Sequence, residues 1–341
     1  MIISTQTYTN PYVTVIIPAH NEGKRIAACI ASVLETGWPR DRLEILVVDH
    51  ESSDSTATVA RNAGAQILEQ RRDKRIGAVR NIGLHAAKGE FVAFVDADCT
   101  VPSTWLRSAI ELLDSDETIG AVGGGPALSP ADGTWVERCL GPSRSTSGFV
   151  RKANTLVTYS FIARTKLLRE LGGFDESLIS GEDDDMSNRI RRHGLLLIAT
   201  SNCRVIHHGY PKALSGVLQK EIWHGSNHID VRSKLDITLA LTFTFLASSF
   251  AAIASLITFA IDSASIPEAA LATSLLVQFV PPCLFALKKL RRSEWDWRMA
   301  MPLLAVGYAY FAGHALGVIT NIYRRHVRRT PEHPTEPDPR A

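Results

Sequence analysis

Residues Phe91–Asp98 read FVAFVDAD, an apolar run that ends in two carboxylates one residue apart, Asp96 and Asp98. A run of that kind predicts a buried strand opening into a loop. Open α/β sheets bind nucleotides outside the carboxyl ends of their strands. Two carboxylates so spaced can share one hard divalent cation, and such a cation can carry a substrate diphosphate. Alone, the pattern is weak evidence and reads first as a solvated acidic turn, so the meaning of Asp96 and Asp98 depends on their surroundings.

Upstream, the chain alternates between two periods. Val13–Pro18 (VTVIIP) and Leu43–Asp49 (LEILVVD) are further short, β-branched apolar runs, and Ile119–Gly123 follows later. Between them, Glu22–Thr36 places Ile26, Ile30, Val33 and Leu34 at helical spacing. A helix from Ser52 or Ser53 through Asn62, stopped by Gly64, and another over Ile76–Lys88, stopped by Gly89, are predicted. Ala65–Glu69 is a weaker strand, and a helix is expected from about Ser103, just after Pro102. A β-α rhythm with near-continuous apolar strands predicts a mostly parallel sheet covered by helices on both faces. Gly124–Asn154, rich in Gly, Pro and Ser, breaks the rhythm as a long loop. Helices over Thr165–Leu171 and Glu182–His193 and short strands over Leu195–Ala199 and Cys203–His207 are expected beyond it.

The last third has a different character. Ile237–Ile261, Ala269–Leu287 and Met299–Tyr323 contain no Asp, Glu, Lys or Arg. About 20 apolar residues suffice for a membrane helix. Pro281-Pro282 is expected to kink the second segment. Pro302, His314 and several glycines weaken the third, which either crosses, re-enters or lies in the interface. Lys288, Lys289, Arg291 and Arg292 follow the second segment, and Arg324, Arg325, Arg328 and Arg329 the third. The positive-inside rule puts both clusters in the cytoplasm. Three full crossings cannot satisfy that, so the side of the tail stays open. The link Asp262–Glu268 carries no basic residue and suits the outer side. The N-terminus shows no basic and apolar leader pattern.

A net charge of +2 argues against a nucleic-acid partner. Five scattered cysteines without a C-x-x-C pair predict neither a disulfide framework nor a zinc site.

Six elements then occur in one order: P-A-H-N-E (Pro18–Glu22), V-V-D with S-S-D (Val47–Asp54), A-V-R-N-I-G (Ala78–Gly83), D-A-D (Asp96–Asp98), G-G-F-D-E (Gly172–Glu176) and G-E-D-D-D (Gly181–Asp185). The series resembles the inverting family 2 glycosyltransferases with the GT-A fold over about residues 12–210. Ala312–Val318 (AGHALGV) is similar to a segment of membrane-anchored members that build bacterial surface polysaccharides. The resemblance implies a GT-A domain over residues 1–230, a membrane domain over 231–324 and a basic, then disordered tail over 325–341. It implies a nucleotide-sugar donor lined by Pro18, His20, Glu22, Asp49, Glu51, Arg80 and Asp96. It implies Mg²⁺ or Mn²⁺ on Asp98, with Asp96 and His207 as further candidates. The general base falls on Asp183, with Glu182 beside it as a second catalytic candidate. His208, next to His207, shares the histidine reading, and Asp185 is the acidic first turn of a helix.

Two departures matter. After V-V-D the family places a second Asp, where this chain has His50 and then Glu51. The Q-x-x-R-W of processive synthases is also missing; Gln219–Trp223 reads QKEIW. The expectation is therefore transfer of a single sugar to an acceptor, one that an anchored enzyme would meet as a lipid-linked molecule. The catalytic domain would lie on the cytoplasmic side of the inner membrane. A processive synthase and a non-catalytic scaffold subunit are the alternatives.

Overall fold

In a computed structural model of the chain, strand β1 (Val13–Ala19) is buried along its whole length. The structure describes residues 10–70, 75–141, 148–228, 237–261, 268–292 and 296–327. The tail beyond 327 and the 262–267 link, both read above from sequence, lie outside the described residues. The chain forms two compact units, residues 1–128 with 146–209, and residues 129–145 with 210–341.

The first unit follows the predicted rhythm. After β1 come α1 (Ile26–Leu34), β2 (Leu43–His50), α2 (Thr56–Asn62), β3 (Gln66–Gln70), α3 (Ile76–Ala86), β4 (Phe91–Phe94), the short β5 (Cys99–Thr100), α4 (Trp105–Ser115) and β6 (Ile119–Gly123). The long loop is not featureless. It holds α5 (Trp135–Leu140), which belongs to the second unit, and β7 (Val150–Ala153). Then come β8 (Phe161–Arg164), α6 (Thr165–Glu170), α7 (Glu182–Arg192), β9 (Leu196–Thr200) and the short β10 (Ile206–His207).

Eight strands form one sheet in the order β3-β2-β1-β4-β8-β6-β9-β7. β8 and β7 run antiparallel to their neighbours and the others run parallel. Alternate residues of β1 feed two cores. Val13, Val15 and Ile17 pack with α1 and α4, whereas Ile16 packs with Val79 and Leu84 of α3. A strand buried on both faces must be apolar throughout, hence VTVIIP. β1 and β4 are neighbours whose connections leave in opposite directions along the sheet. That switch point is where a crevice opens at the carboxyl ends of the strands.

The second unit contains α8 (Leu214–His228), α9 (Ile237–Ile261), α10 (Glu268–Arg292) and α11 (Ala300–Val327). The last three are long and apolar enough to cross a membrane. α9 leaves Phe250, Ile253, Leu256, Ile257 and Phe259 exposed, a surface that suits lipid rather than water. Helix α10 continues through Pro281 and Pro282. Gly307 of α11 brings its backbone against Pro282 there, and close neighbours are how a membrane helix tolerates proline. Pro302 and His314 do not interrupt α11, which is one 28-residue helix, so a re-entrant third segment has no break to turn at. His314 is buried and bonded to Thr242 of α9 at 3.0 Å.

Helix α8 packs on α11 through small residues. A Cβ at Gly225 would strike the His314 backbone, and one at Gly317 would strike Ile222 and Ser226. Small-residue contact of this type lets helix backbones approach. Lys289 turns its ammonium to the carbonyls of Leu140 and Gly141 at the end of α5. That places a cation on the negative end of a helix, so this lysine has a packing duty besides any role in orientation.

Candidate active site

Four loops of the first unit carry the expected site residues. At the β1 and β2 ends, His20 Nδ1 meets the His50 carbonyl at 2.7 Å. Asn21 receives bonds from the Ser53 N–H and hydroxyl, and its own N–H donates to Ser52. Ser52 in turn donates to the buried Asp49. Asn21 and Glu51 hold φ of 54° and 55°. Two L-residues in the left-handed region, on adjacent strand ends, store strain of about 1 kcal/mol each, a cost that clusters at functional sites. Pro18 lies within β1 itself. Glu22 is ion-paired with Arg25 at 3.3 Å, and Glu51 is exposed.

The D-A-D element follows β4. Strands β5 and β10 pair antiparallel and set His207 opposite Cys99. This brings His207 Nε2 to 3.6 Å from Asp98 Oδ2. The His208 N–H donates to the Asp98 carbonyl at 2.8 Å and its ring meets Thr100 at 3.0 Å,. Gly209 closes the corner, because a Cβ there would land on the Asp98 carboxylate. Sequence reading missed Gly209; its place two residues after a strand-end histidine was the available signal.

Asp98, Cys99 and His207 offer atoms within 4.8 Å of one another. Two ligands held at about 2.1 Å from one ion lie roughly 3–4 Å apart, so the Asp98–His207 spacing fits a divalent cation. Burial and the neighbouring Asp98 push the Cys99 thiol well above its usual range, and a hard cation such as Mg²⁺ or Mn²⁺ favours the oxygen and nitrogen donors over sulfur. The Gly209 N–H meets His207 Nδ1 at 3.1 Å. In that arrangement the ring proton sits on Nε2, so ligation through Nε2 requires that proton to move.

Arg80 joins the third and fourth loops. Its side chain is 5% exposed and stacks near Phe174, with Nη1 at 2.6 Å from Glu182 and Nη2 at 3.3 Å from Asp96. The sequence reading put Arg80 on the nucleotide or diphosphate; the structure puts it between two carboxylates. Among the described residues, its buried Nε has no hydrogen-bond partner.

Gly181, at φ 81°, starts α7 and sends four carboxylates into its first turn. Glu182 is taken by Arg80, Asp185 is tied to Arg189 at 2.7 Å, and Asp184 is exposed. Asp183 accepts the Asp184 N–H at 2.9 Å. Burial, with Glu182 and Asp184 adding to it, pushes the Asp183 carboxyl up to about 6, against the pull of Arg80. A carboxyl raised in this way suits a group that takes up a proton near neutrality.

Arg80→Gln removes the cation that favours ionised Asp183. The acidic limb of a kcat–pH profile is expected to move upward from about 6. Stability is expected to fall by about 3 kcal/mol, because one partner of a buried ion pair is lost. Arg80→Lys should keep the limb near its wild-type position. A limb that stays put in Arg80→Gln would show that Arg80 does not act on Asp183.

Comparison with known proteins finds similarity to glycosyltransferases. Residues 14–170 match the model of Glycosyl transferase family 2. Glycosyltransferase AglE of Haloferax volcanii is 29% identical over 232 residues, which cover 66% of this chain and 75% of AglE. Pre-mycofactocin glycosyltransferase of Mycobacterium tuberculosis is 26% identical over 230 residues, covering 63% of this chain but only 46% of that relative. The mannosyltransferase PcManGT from Pyrobaculum calidifontis, solved in complex with GDP-Man and Mn²⁺, shares the fold with a TM-score of 0.59. It is 22% identical and covers 93% of this chain and 89% of its own. Residues 14–170 are thus similar to the family 2 glycosyltransferases, and the relatives that the chain matches are glycosyltransferases.

Proposed function

We propose that the chain is a family 2 glycosyltransferase that moves one sugar from a nucleotide-sugar to a lipid-linked acceptor, with inversion at the anomeric carbon. One observation carries the reading. Arg80 ties Asp96 to Glu182, so the D-A-D loop and the E-D-D-D turn, far apart in sequence, border one crevice. A diphosphate-binding loop and a proton acceptor are what glycosyl transfer from a nucleotide-sugar needs.

Asp183 takes the proton of the acceptor hydroxyl as that oxygen attacks the anomeric carbon. The bond from that carbon to the donor diphosphate breaks on the opposite face, which inverts the configuration. Mg²⁺ or Mn²⁺ on Asp98 and His207, with Asp96 nearby, would offset the charge on the departing diphosphate. Glu182 and Arg80 act as positioning groups. His20, Asp49 and Glu51, with Pro18 and Glu22 behind them, form the nucleoside end, where His50 replaces the family's second Asp. The chemistry belongs to residues 1–230, and residues 231–324 anchor it from the cytoplasmic side of the inner membrane.

The test is a transfer assay with the purified full-length chain, a nucleotide-sugar panel and Mn²⁺. Single-sugar products on a prenyl-linked acceptor support the reading. Long polymer from the one chain would favour a processive synthase, and absence of donor cleavage would favour a scaffold subunit.

Anchoring has its own expected result. The chain should stay with membranes through high salt and carbonate washes, since apolar spans are not held by charge. A reporter fused after Arg292 should face the cytoplasm. Full-length chain in the soluble fraction would contradict anchoring.

A further inference from the structure

The three long apolar helices do not expose themselves alike. In α9 every residue from Leu256 to Ala260 is exposed, more than one full turn. α10 exposes Leu275, Leu276, Val277, Phe279 and Val280, which spread over more than half of its circumference. Apolar surface on all sides suits a helix surrounded by lipid. The exposed apolar residues of α11 are Met301, Tyr308, Leu316, Ile319, Ile322 and Tyr323. At about 100° per residue they fall on one stripe, roughly a third of the circumference wide. Half of the most apolar window of α11 is buried (50%), against 22% in α9 and 17% in α10. A single apolar stripe is what a helix lying in the membrane interface turns to lipid.

The neighbours of α11 agree with that orientation. α8 covers the face opposite the stripe. Leu218 and Glu221 lie against Gly313, Gly225 against His314, and Ile222 and Ser226 against Gly317, while Asn321 donates to the Ser226 carbonyl. α8 therefore runs beside α11 in the same direction. Gly313 is near the middle of the Trp297–Arg324 segment. If α11 crossed, Glu221, Lys220 and the exposed Gln219 would lie near the bilayer centre, where such side chains are costly. α9 and α10, by contrast, pass α11 instead of following it. Thr242 bonds to His314 on the far face, and Phe245, three residues on, meets Tyr308 of the stripe. In α10, Leu290 clusters with Leu303 on the far face and Phe279 meets Tyr308. Toward the link between them, both helices move from the far face of α11 to its lipid stripe.

We propose that, among the described helices, α9 and α10 alone cross the bilayer, while α11 lies in the plane of the cytoplasmic interface with its stripe on the acyl chains and α8 on its cytoplasmic side. Two crossings put Lys288–Arg292 and the basic residues from Arg324 onward on one side, as the positive-inside rule requires. Arg298 and Arg324 are exposed at the two ends of α11, which suits the anionic headgroups of that leaflet. The inference rests on the anchored reading and adds the depth and direction of its third helix.

The experiment uses the full-length chain. A reporter fused after Ala341, fluorescent protein for the cytoplasm or alkaline phosphatase for the outside, is read in cells. Depth is read in nanodiscs by nitroxide relaxation with oxygen and a nickel chelate. The labels sit at Met301→Cys, Tyr308→Cys, Leu316→Cys and Tyr323→Cys, one at a time, on a Cys283→Ala background, since the other four cysteines are buried. The tail reporter is expected in the cytoplasm and the four labels at one shallow depth. A crossing helix would put Tyr308 about 10 Å deeper than Met301, at 1.5 Å per residue. An outside tail, or that difference in depth, overturns the in-plane helix while the chain stays anchored. Full-length chain in the soluble fraction overturns the anchored reading together with it.

Discussion

Asp183→Asn is expected to keep donor and metal binding while transfer falls by about 10²–10⁴-fold, the usual worth of a general base. The amide preserves shape and cannot accept the acceptor's proton. The substitution should also change stability with a definite sign. Burial raises the Asp183 carboxyl to about 6 in the folded chain, above the ordinary value of about 3.9. A raised carboxyl stabilises the fold below its unfolded value, and that contribution is lost as pH rises through about 6. At pH 8, ionised Asp183 therefore costs stability, and Asn removes the cost. With donor and metal absent, Asp183→Asn should gain up to about 2 kcal/mol at pH 8, discounted because the side chain is partly solvated, and little at pH 4. Melting curves at the two pH values and single-turnover rates are the measurements. A dead enzyme at Glu182→Gln beside near-normal turnover at Asp183→Asn would move the base to Glu182.

Asp98→Ala is expected to abolish metal-dependent donor binding and leave the fold intact. Its backbone carbonyl keeps the His208 bond, and the β5–β10 pairing does not use its side chain. Calorimetry with the nucleotide-sugar that wild type binds, with and without Mn²⁺, should show the Mn²⁺-dependent part of the affinity lost. Unchanged affinity in Asp98→Ala would remove Asp98 from the site.

These predictions draw on features that the sequence shows to different degrees. β1, β2, β4 and β6 were legible because strands buried on both faces are apolar throughout. β8 was not read as a strand. It is four residues long, follows a Gly-, Pro- and Ser-rich stretch and ends in Arg164, whose guanidinium reaches the carbonyls of Leu113 and Ile119. Nothing local says that such a segment belongs at the centre of a sheet. α8 was missed because its face against α11 is made of small residues such as Gly225 rather than an apolar stripe. α5 was folded into a loop by its composition, although a capping box at Thr134 and Glu137 was there to be read.

At the site, the D-A-D pair and the E-D-D-D turn were visible as local patterns. Their partners were not. His207 reaches Asp98 because two-residue strands pair across more than a hundred positions. Arg80 was assigned to phosphate by its chemistry, but its surroundings are set by Glu182, which lies 102 residues away. The strained turns at Asn21 and Glu51 are backbone facts that residue types only hint at.

The most direct measurement is proton NMR of the anomeric region during turnover by the purified full-length chain with Mn²⁺, a nucleotide-sugar panel and a prenyl-linked acceptor. The account predicts that one donor is consumed and its nucleoside diphosphate released. The new anomeric signal should have the configuration opposite to the donor's, and EDTA should stop the reaction. Donor consumption with retained configuration, or no consumption of any donor in the panel, would contradict it.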